Sequence, residues 1–102
     1  ELILSAKKIS AAEAMEIGLV NHVYPQEELM DKAIELAECI ASNAQVAVKA
    51  AKRCIRKGIQ TDINTGVAYE SEAFGLCFST DDQKNAMKAF INKEKFNNFK
   101  DI

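Results

Sequence analysis

Apolar side chains recur every three or four residues along most of the chain, which is the spacing of amphipathic α-helices. Helix-capping residues, glycines and the single proline fall between these apolar runs and indicate where helices begin and end. The pattern predicts a mainly α fold with about five helices and one short extended segment. The predicted helices cover residues 10–17, 26–42, 44–57, 61–78 and about 83–95, and the extended segment covers 19–24.

The ends of the predicted helices carry capping residues. Ser10 and Glu13 have the spacing of a capping box, in which each side chain accepts a hydrogen bond from the other residue's backbone N–H. Gly18 is suited to the left-handed conformation that ends many helices. Either Thr61 or Asp62 is expected to cap the fourth helix, because both side chains can accept from backbone N–H groups.

The inward faces of the predicted helices differ in side-chain size. The third helix places small residues inward, so that a neighbouring helix can approach closely. The fourth and fifth helices place larger apolar residues inward. The predicted inward residues are Ala47, Ala50, Ala51, Cys54, Ile63, Val67, Phe74, Phe78, Ala86, Met87, Phe90 and Ile91.

The composition is that of an ordinary globular protein, with 102 residues, 48% hydrophobic and 27% charged residues, and a net charge of −2. A slightly acidic chain is a poor candidate for general binding to nucleic acid or to an anionic membrane. Its apolar runs are far shorter than the roughly 20 residues of a membrane span. Three cysteines without a CxxC pair indicate a reducing, cytoplasmic compartment.

The chain shows no recognisable catalytic or metal-binding constellation. His22 is the single histidine, and the sequence near it offers no partners for a triad or a metal site. The acidic pairs Glu27/Glu28 and Asp81/Asp82 fall in the first turns of predicted helices, where they favour the helix dipole. We therefore expect no catalytic residue, no metal and no cofactor within these residues.

A basic stripe follows one face of the third predicted helix. A solvated helix face opposite the alanines is the favoured interpretation, and steering of phosphate groups remains the alternative. The stripe consists of Lys49, Lys52, Arg53, Arg56 and Lys57.

The aromatic residues are concentrated at one end of the chain. All five phenylalanines lie between residues 74 and 99, and the first 73 residues contain neither Phe nor Trp. Lys93 follows Phe90 by three residues, so both belong to one helix face. A ring beside an ammonium group suits a ligand that combines an aromatic base with a phosphate, although a core Phe beside a surface Lys gives the same pattern. The tail 96–102 is aromatic enough to dock on the rest of the chain.

Two stretches resemble the enoyl-CoA hydratase (crotonase) family. Residues 9–14 (Ile-Ser-Ala-Ala-Glu-Ala) and 17–23 (Ile-Gly-Leu-Val-Asn-His-Val) are similar to a segment found across that superfamily. Residues 78–82 (Phe-Ser-Thr-Asp-Asp) and 89–95 (Ala-Phe-Ile-Asn-Lys-Glu-Lys), followed by Phe-Lys-Asp at 99–101, resemble the C-terminal end of short-chain enoyl-CoA hydratases. The resemblance covers the whole chain.

The resemblance implies that residues 1–102 are the helical C-terminal domain of a crotonase-fold subunit. Members of the family add water to the 2,3-double bond of an enoyl-CoA, using two glutamates and an oxyanion hole in a front α/β spiral domain that this chain lacks. The helical part joins subunits into trimers, often paired as hexamers, and closes over the acyl-CoA. We expect an intact enzyme acting on a crotonyl-CoA type of substrate in short-chain fatty acid or butyrate metabolism, and an inactive isolated chain.

The resemblance also assigns three binding residues and shows two departures. Lys93 matches the family lysine at the 3′-phosphate end of CoA, and Phe90 and Phe74 match rings that line the CoA pocket. Ala6 stands where many members have the glycine of a tight turn, and Glu94 replaces a basic residue beside Lys93. The alternatives are a double-bond isomerase of the same family and, from another class, a helical interaction module without a ligand.

Overall fold

The computed structural model describes residues 1–100, and within that range it contains six α-helices and no β-strand. The predicted mainly α fold is confirmed, and the five predicted helices correspond to α2–α6. Residues 19–24, predicted to be extended, belong to no helix and no paired strand. The helices are α1 (Leu2–Ser5), α2 (Ala11–Glu16), α3 (Gln26–Ala41), α4 (Gln45–Gly58), α5 (Ile63–Cys77) and α6 (Asp81–Ile91).

The chain divides into two compact units, residues 1–35 and the residues from 36 onward. In the first unit the predicted capping box of α2 is present: Ser10 N–H donates to Glu13 Oε2 at 2.8 Å, and Glu13 N–H donates to Ser10 Oγ at 3.2 Å. Gly18 has a φ of 73° and ends α2 in the predicted left-handed conformation. Its N–H donates to Met15, and the next N–H donates to the carbonyl of Ala14, which are the two hydrogen bonds of a Schellman motif.

In the second unit, polar side chains end α3 and begin the turn to α4. Ser42 Oγ and Asn43 Nδ2 both donate to the carbonyl of Cys39 at 2.8 Å. The side-chain amide of Gln45, the first residue of α4, donates to the carbonyl of Ile40 at 3.1 Å. These bonds satisfy carbonyls that the end of a helix leaves without partners.

Helices α4 and α5 form the main helix pair of the second unit. Asp62, not Thr61, caps α5, and its carboxylate accepts from the backbone N–H groups of Asn64 and Thr65. Gly58 and Gly66 face each other closely, since a Cβ on Gly66 would lie 3.5 Å from the Cα of Gly58. The small inward residues of α4 thus permit the close packing that the sequence predicts.

Helix α6 begins with a cap at Thr80, whose hydroxyl accepts from Gln83 N–H at 3.2 Å. The helix ends at Ile91, about four residues earlier than predicted. The backbone turns into the left-handed region at Lys93, with a φ of 58°, and this ends the helix.

Few side chains are buried within the described residues. The buried ones are Ala14, Ala50, Ala89 and Asp82, and no large apolar residue among residues 1–100 is fully buried. Phe90 and Ile91 are 77% and 74% exposed, so the prediction that they pack inward is wrong for this chain. Three alanines are too small to form a core for a chain of this size.

No helix in the described part of the chain combines the length and the apolar character that crossing a membrane requires.

Candidate functional site

An open groove of about 840 Å³ lies in the second unit, between α4, α5, the first turns of α6 and the tail. Small residues of α4 form one wall and larger apolar residues of α5 form the other. Exposed apolar surface on this scale is typical of a surface that another structure covers. The apolar residues that line the groove are Ala44, Ala47, Ala50, Ala51, Cys54, Ile55, Gly58, Ile59, Ile63, Gly66, Val67, Ala73, Phe74, Cys77, Phe78, Ala86, Met87 and Phe99.

The predicted site residue Phe74 lies in this groove. It is 66% exposed, and its ring meets that of Phe78 edge to face with centroids 5.1 Å apart. An exposed aromatic pair of this kind presents two faces on which a flat or apolar ligand can stack.

The other two predicted site residues, Phe90 and Lys93, lie together at the end of α6. Lys93 N–H donates to the carbonyl of Phe90 at 3.1 Å, and Glu94 N–H donates to the carbonyl of Ala89 at 2.9 Å. These bonds form a Schellman motif with Lys93 in the left-handed position that is usually held by glycine. Both side chains are exposed, and neither is among the residues that line the groove. The prediction that Phe90 and Lys93 share one helix face is therefore wrong, because the helix ends at Ile91 and Lys93 lies beyond it in the left-handed region. Their backbones are hydrogen-bonded, and Phe74 lies separately on α5.

The tail folds back on α6 as far as the structure describes it. Lys100 N–H donates to the carboxylate of Asp82 at 2.8 Å, and the rings of Phe96 and Phe99 meet edge to face at 5.1 Å. The prediction that the tail docks is confirmed for residues 96–100, and its last two residues lie outside the described range.

Asp82 has a structural role that its position in the sequence did not predict. It lies in the first turn of α6, as expected, but its side chain is only 2% exposed and binds the tail. Dipole stabilisation needs no burial, so capping alone does not explain the position. The sequence contained one indication of this contact. Asp81 and Asp82 are adjacent acids in one first turn, and an aromatic tail follows the same helix.

Three members of the basic stripe line a small depression of about 240 Å³. Arg53, Arg56 and Lys57 surround it together with Gln60 and Tyr69. The ion pairs found among residues 1–100 involve none of these cations. Both interpretations of the stripe, a solvated face or a surface that attracts phosphates, are compatible with this arrangement.

The acidic residues with shifted pKa values cap helices. The hydrogen bonds from the N–H and then the hydroxyl of Ser10 lower the pKa of Glu13. The hydroxyl of Thr65, followed by its N–H, lowers the pKa of Asp62. Both shifts follow from hydrogen bonds to the ionised carboxylate. Among residues 1–100, no cluster of His, Cys, Asp or Glu is arranged to hold a metal ion.

Comparison with known proteins adds a family assignment to this geometry. Residues 1–101 match the model of the enoyl-CoA hydratase/isomerase family. The chain is 57% identical to the short-chain-enoyl-CoA hydratase of Clostridium acetobutylicum over 98% of its own length and 38% of that protein. It is 45% identical to the crotonyl-CoA hydratase of Syntrophomonas wolfei over 95% of its length and 37% of that relative.

The fold agrees with solved structures of similar sequence. The crystal structure of an enoyl-CoA hydratase from Geobacillus kaustophilus HTA426 superposes with a TM-score of 0.90 at 36% identity. The match covers 97% of this chain and 37% of that one. The chain thus spans about two fifths of the length of these similar proteins.

Proposed function

Because the chain belongs to the enoyl-CoA hydratase/isomerase family, we propose that the intact protein is a short-chain enoyl-CoA hydratase. It adds water reversibly across the 2,3-double bond of a crotonyl-CoA type of thioester and yields the 3-hydroxyacyl-CoA. The observation that carries the proposal is the 57% identity to the Clostridium acetobutylicum short-chain-enoyl-CoA hydratase over nearly the whole chain.

The proposed role of residues 1–102 is that of a C-terminal helical domain, which serves subunit assembly and closes over CoA. Catalysis by general acid–base groups and an oxyanion hole would reside in the rest of the subunit. The acids whose pKa values are lowered here, Glu13 and Asp62, act as helix caps, and this supports the division of roles. The CoA portion belongs to the substrate, and the proposal includes no separate cofactor.

Lys93 is the proposed contact to the 3′-phosphate end of CoA. A lysine is strained in the left-handed position that it occupies, by about 1–3 kcal/mol for a non-glycine residue. Glycine would hold the same Schellman motif without that strain. A long cation at a position that favours glycine supports a role for its ammonium group.

Phe90 and Phe74 are the proposed ring contacts of the CoA pocket. Both rings are largely exposed in the chain, with Phe90 one turn before Lys93 and Phe74 in the groove. Exposed rings gain about 0.5–1.5 kcal/mol from stacking on another aromatic group beyond the area that they bury. The adenine base of CoA offers such a group. The 3′-phosphate of the same ligand suits the ammonium group of Lys93.

Assembly into a trimer, or into a dimer of trimers, is the second part of the proposal. The groove between α4, α5 and α6 is apolar and open, and a subunit that exposed it would aggregate. In the intact enzyme, the rest of the subunit and neighbouring copies would cover the groove. We place the enzyme in the cytoplasm, in the metabolism of short fatty acids or butyrate.

The test is hydration of crotonyl-CoA by the intact protein and by the 102-residue chain at equal concentration. Hydration by the intact protein alone is the expected result. Isomerisation of a 3-enoyl-CoA without hydration would favour the other reaction named for the family. Hydration by the short chain would contradict the placement of the catalytic groups outside it.

A further inference from the structure

Asp82 is a buried carboxylate that the proposed function leaves without a role. It is the one charged side chain that is fully buried among the described residues, at 2% exposure. It accepts from the backbone N–H of Lys100 at 2.8 Å, across 18 positions of the sequence. A hydrogen bond to an ionised group is stronger than one between neutral groups, and burial protects it from competition with water.

The segment between these partners contains the reversal at Lys93. Helix α6 runs from Asp81 to Ile91, the chain turns at Lys93, and residues 94–100 return until Lys100 reaches the first turn of the same helix. The carboxylate therefore ties the end of the returning segment to the start of the helix, and Lys93 lies at the turn between them.

The left-handed residue Lys93 lies within the segment whose two ends the hydrogen bond between Lys100 and Asp82 joins. A lysine at this φ is strained, and such a conformation persists when the surrounding structure determines it. The Schellman bonds to Phe90 and Ala89 hold the turn from one side. The anchored tail fixes the direction in which the chain must leave, which holds the turn from the other side.

We propose that Asp82 is a positioning residue, which keeps Lys93 in the left-handed conformation and its ammonium group aimed at an anionic ligand. The role toward CoA rests on the proposed function of Lys93, whereas the role toward the backbone stands on the geometry alone. Without the anchor, Lys93 relaxes to an unstrained conformation and the Schellman bond of Glu94 opens.

The backbone part is tested by hydrogen exchange of the Glu94 amide in the intact protein. Lys100→Pro removes the N–H that Asp82 accepts, and Lys100→Ala keeps it, so the two variants form a matched pair. We expect Glu94 to exchange at least tenfold faster in Lys100→Pro and at the parent rate in Lys100→Ala. Equal exchange in both variants would overturn the proposal.

Variants at the carboxylate give a second approach. Asp82→Ala is expected to accelerate exchange at Glu94 as Lys100→Pro does, and Asp81→Ala, which removes an exposed neighbour paired with Lys84 at 3.3 Å, is expected to leave it unchanged. Lys100 is exposed, so Lys100→Pro remains informative even if Asp82→Ala does not fold.

The ligand part is tested by the KM for crotonyl-CoA of Lys100→Pro, of Lys93→Ala and of the double variant. If Asp82 acts through Lys93, each single variant raises KM about threefold to tenfold with kcat retained, and the double variant is no worse than Lys93→Ala. Independent, multiplying effects would overturn the positioning role. If Lys93→Ala leaves KM unchanged, the proposed function of Lys93 fails, and the exchange of Glu94 still decides the backbone role.

Discussion

Left-handed residues end three of the helices, and only one of them is a glycine. Ala6 after α1 and Lys93 after α6 have φ values of 50° and 58°, beside 73° at Gly18. Residue type predicts the conformation of Gly18, because glycine alone adopts it without strain. It could not predict the other two, where residues with a side chain adopt the same conformation. The turn at Ala6 thus forms although the glycine common in the family is missing.

The strain can be measured with alanine substitutions at two glycines that both have space for a Cβ but differ in backbone conformation. A Cβ at Gly18 or at Gly75 would meet no atom within 4 Å, but only Gly18 has a positive φ. Gly18→Ala is expected to lower the free energy of unfolding of the intact protein by about 1 kcal/mol. Gly75→Ala, inside α5, is expected to raise it by about 0.5–1 kcal/mol. Denaturant midpoints measure both, and shifts of equal sign would contradict the explanation.

At the scale of the helices, the sequence predicted where most elements begin because caps are local. Ser10 with Glu13 and the pair Thr61/Asp62 each involve residues within three positions, so their spacing is visible in the sequence. The end of α6 was predicted about four residues too late, because Lys93, Glu94 and Lys95 are good helix formers and the residue type of Lys93 does not indicate its left-handed conformation.

The capping box of α2 predicts a pH dependence of stability. Hydrogen bonds from Ser10 hold the pKa of Glu13 below its ordinary value of 4.5. The folded state therefore binds this proton less readily than the unfolded state. The stabilisation is complete above pH 4.5 and is lost as the pH falls through the lowered pKa. The pKa of Asp62 is likewise lowered from its ordinary value of 3.8, so its stabilisation is also lost as the pH falls through the lowered pKa.

Ser10→Ala should reduce the contribution of Glu13, because it removes the hydroxyl hydrogen bond and keeps the one from the backbone N–H, and it should leave the contribution of Asp62 unchanged. We expect the variant to be less stable than the parent at neutral pH by about 1 kcal/mol, and the difference to shrink in acid. Ser71→Ala, an exposed serine inside α5, is the control and should change the pH profile little. Urea unfolding across the acid range measures this, and a pH-independent difference would contradict the role of Glu13.

At the scale of the whole molecule, the main feature is the apolar groove of the second unit. The sequence predicted that Val67, Phe74 and Phe78 share one face, and the structure places all three along the groove. Helical periodicity identifies which face is apolar, but it does not reveal what covers that face. For the same reason Phe90 and Ile91, assigned to a core, are exposed in this chain.

The uncovered groove predicts that the 102-residue chain self-associates. Burial of apolar surface stabilises by about 25 cal/mol per Å². Association of two copies through their exposed grooves therefore lowers the free energy. Sedimentation across micromolar concentrations should show mass increasing with concentration. Val67→Glu, which places a charge in the groove, should reduce the association, and Gln60→Glu, outside it, should not. A monomer at every concentration would contradict the proposed assembly role.

The binding residues illustrate what the family resemblance added to the residue pattern. Spacing alone placed Phe90 and Lys93 on one helix face and favoured a core ring beside a surface lysine. Phe90 is 77% exposed in this chain, and Lys93 has a positive φ, which is a strained conformation for lysine. The residue pattern suited a ligand with an aromatic base and a phosphate. The identity of that ligand as CoA was predictable only through the family.

The most direct measurement is the steady-state kinetics of crotonyl-CoA hydration by the intact protein and its Lys93→Ala variant, with Lys95→Ala as the matched control. A lost contact to an exposed phosphate should raise KM about threefold to tenfold and leave kcat nearly unchanged, because the contact is made equally in the bound substrate and the transition state. Lys95→Ala should match the parent. Absence of hydration, or an active Lys93→Ala enzyme with the parent KM, would contradict the account.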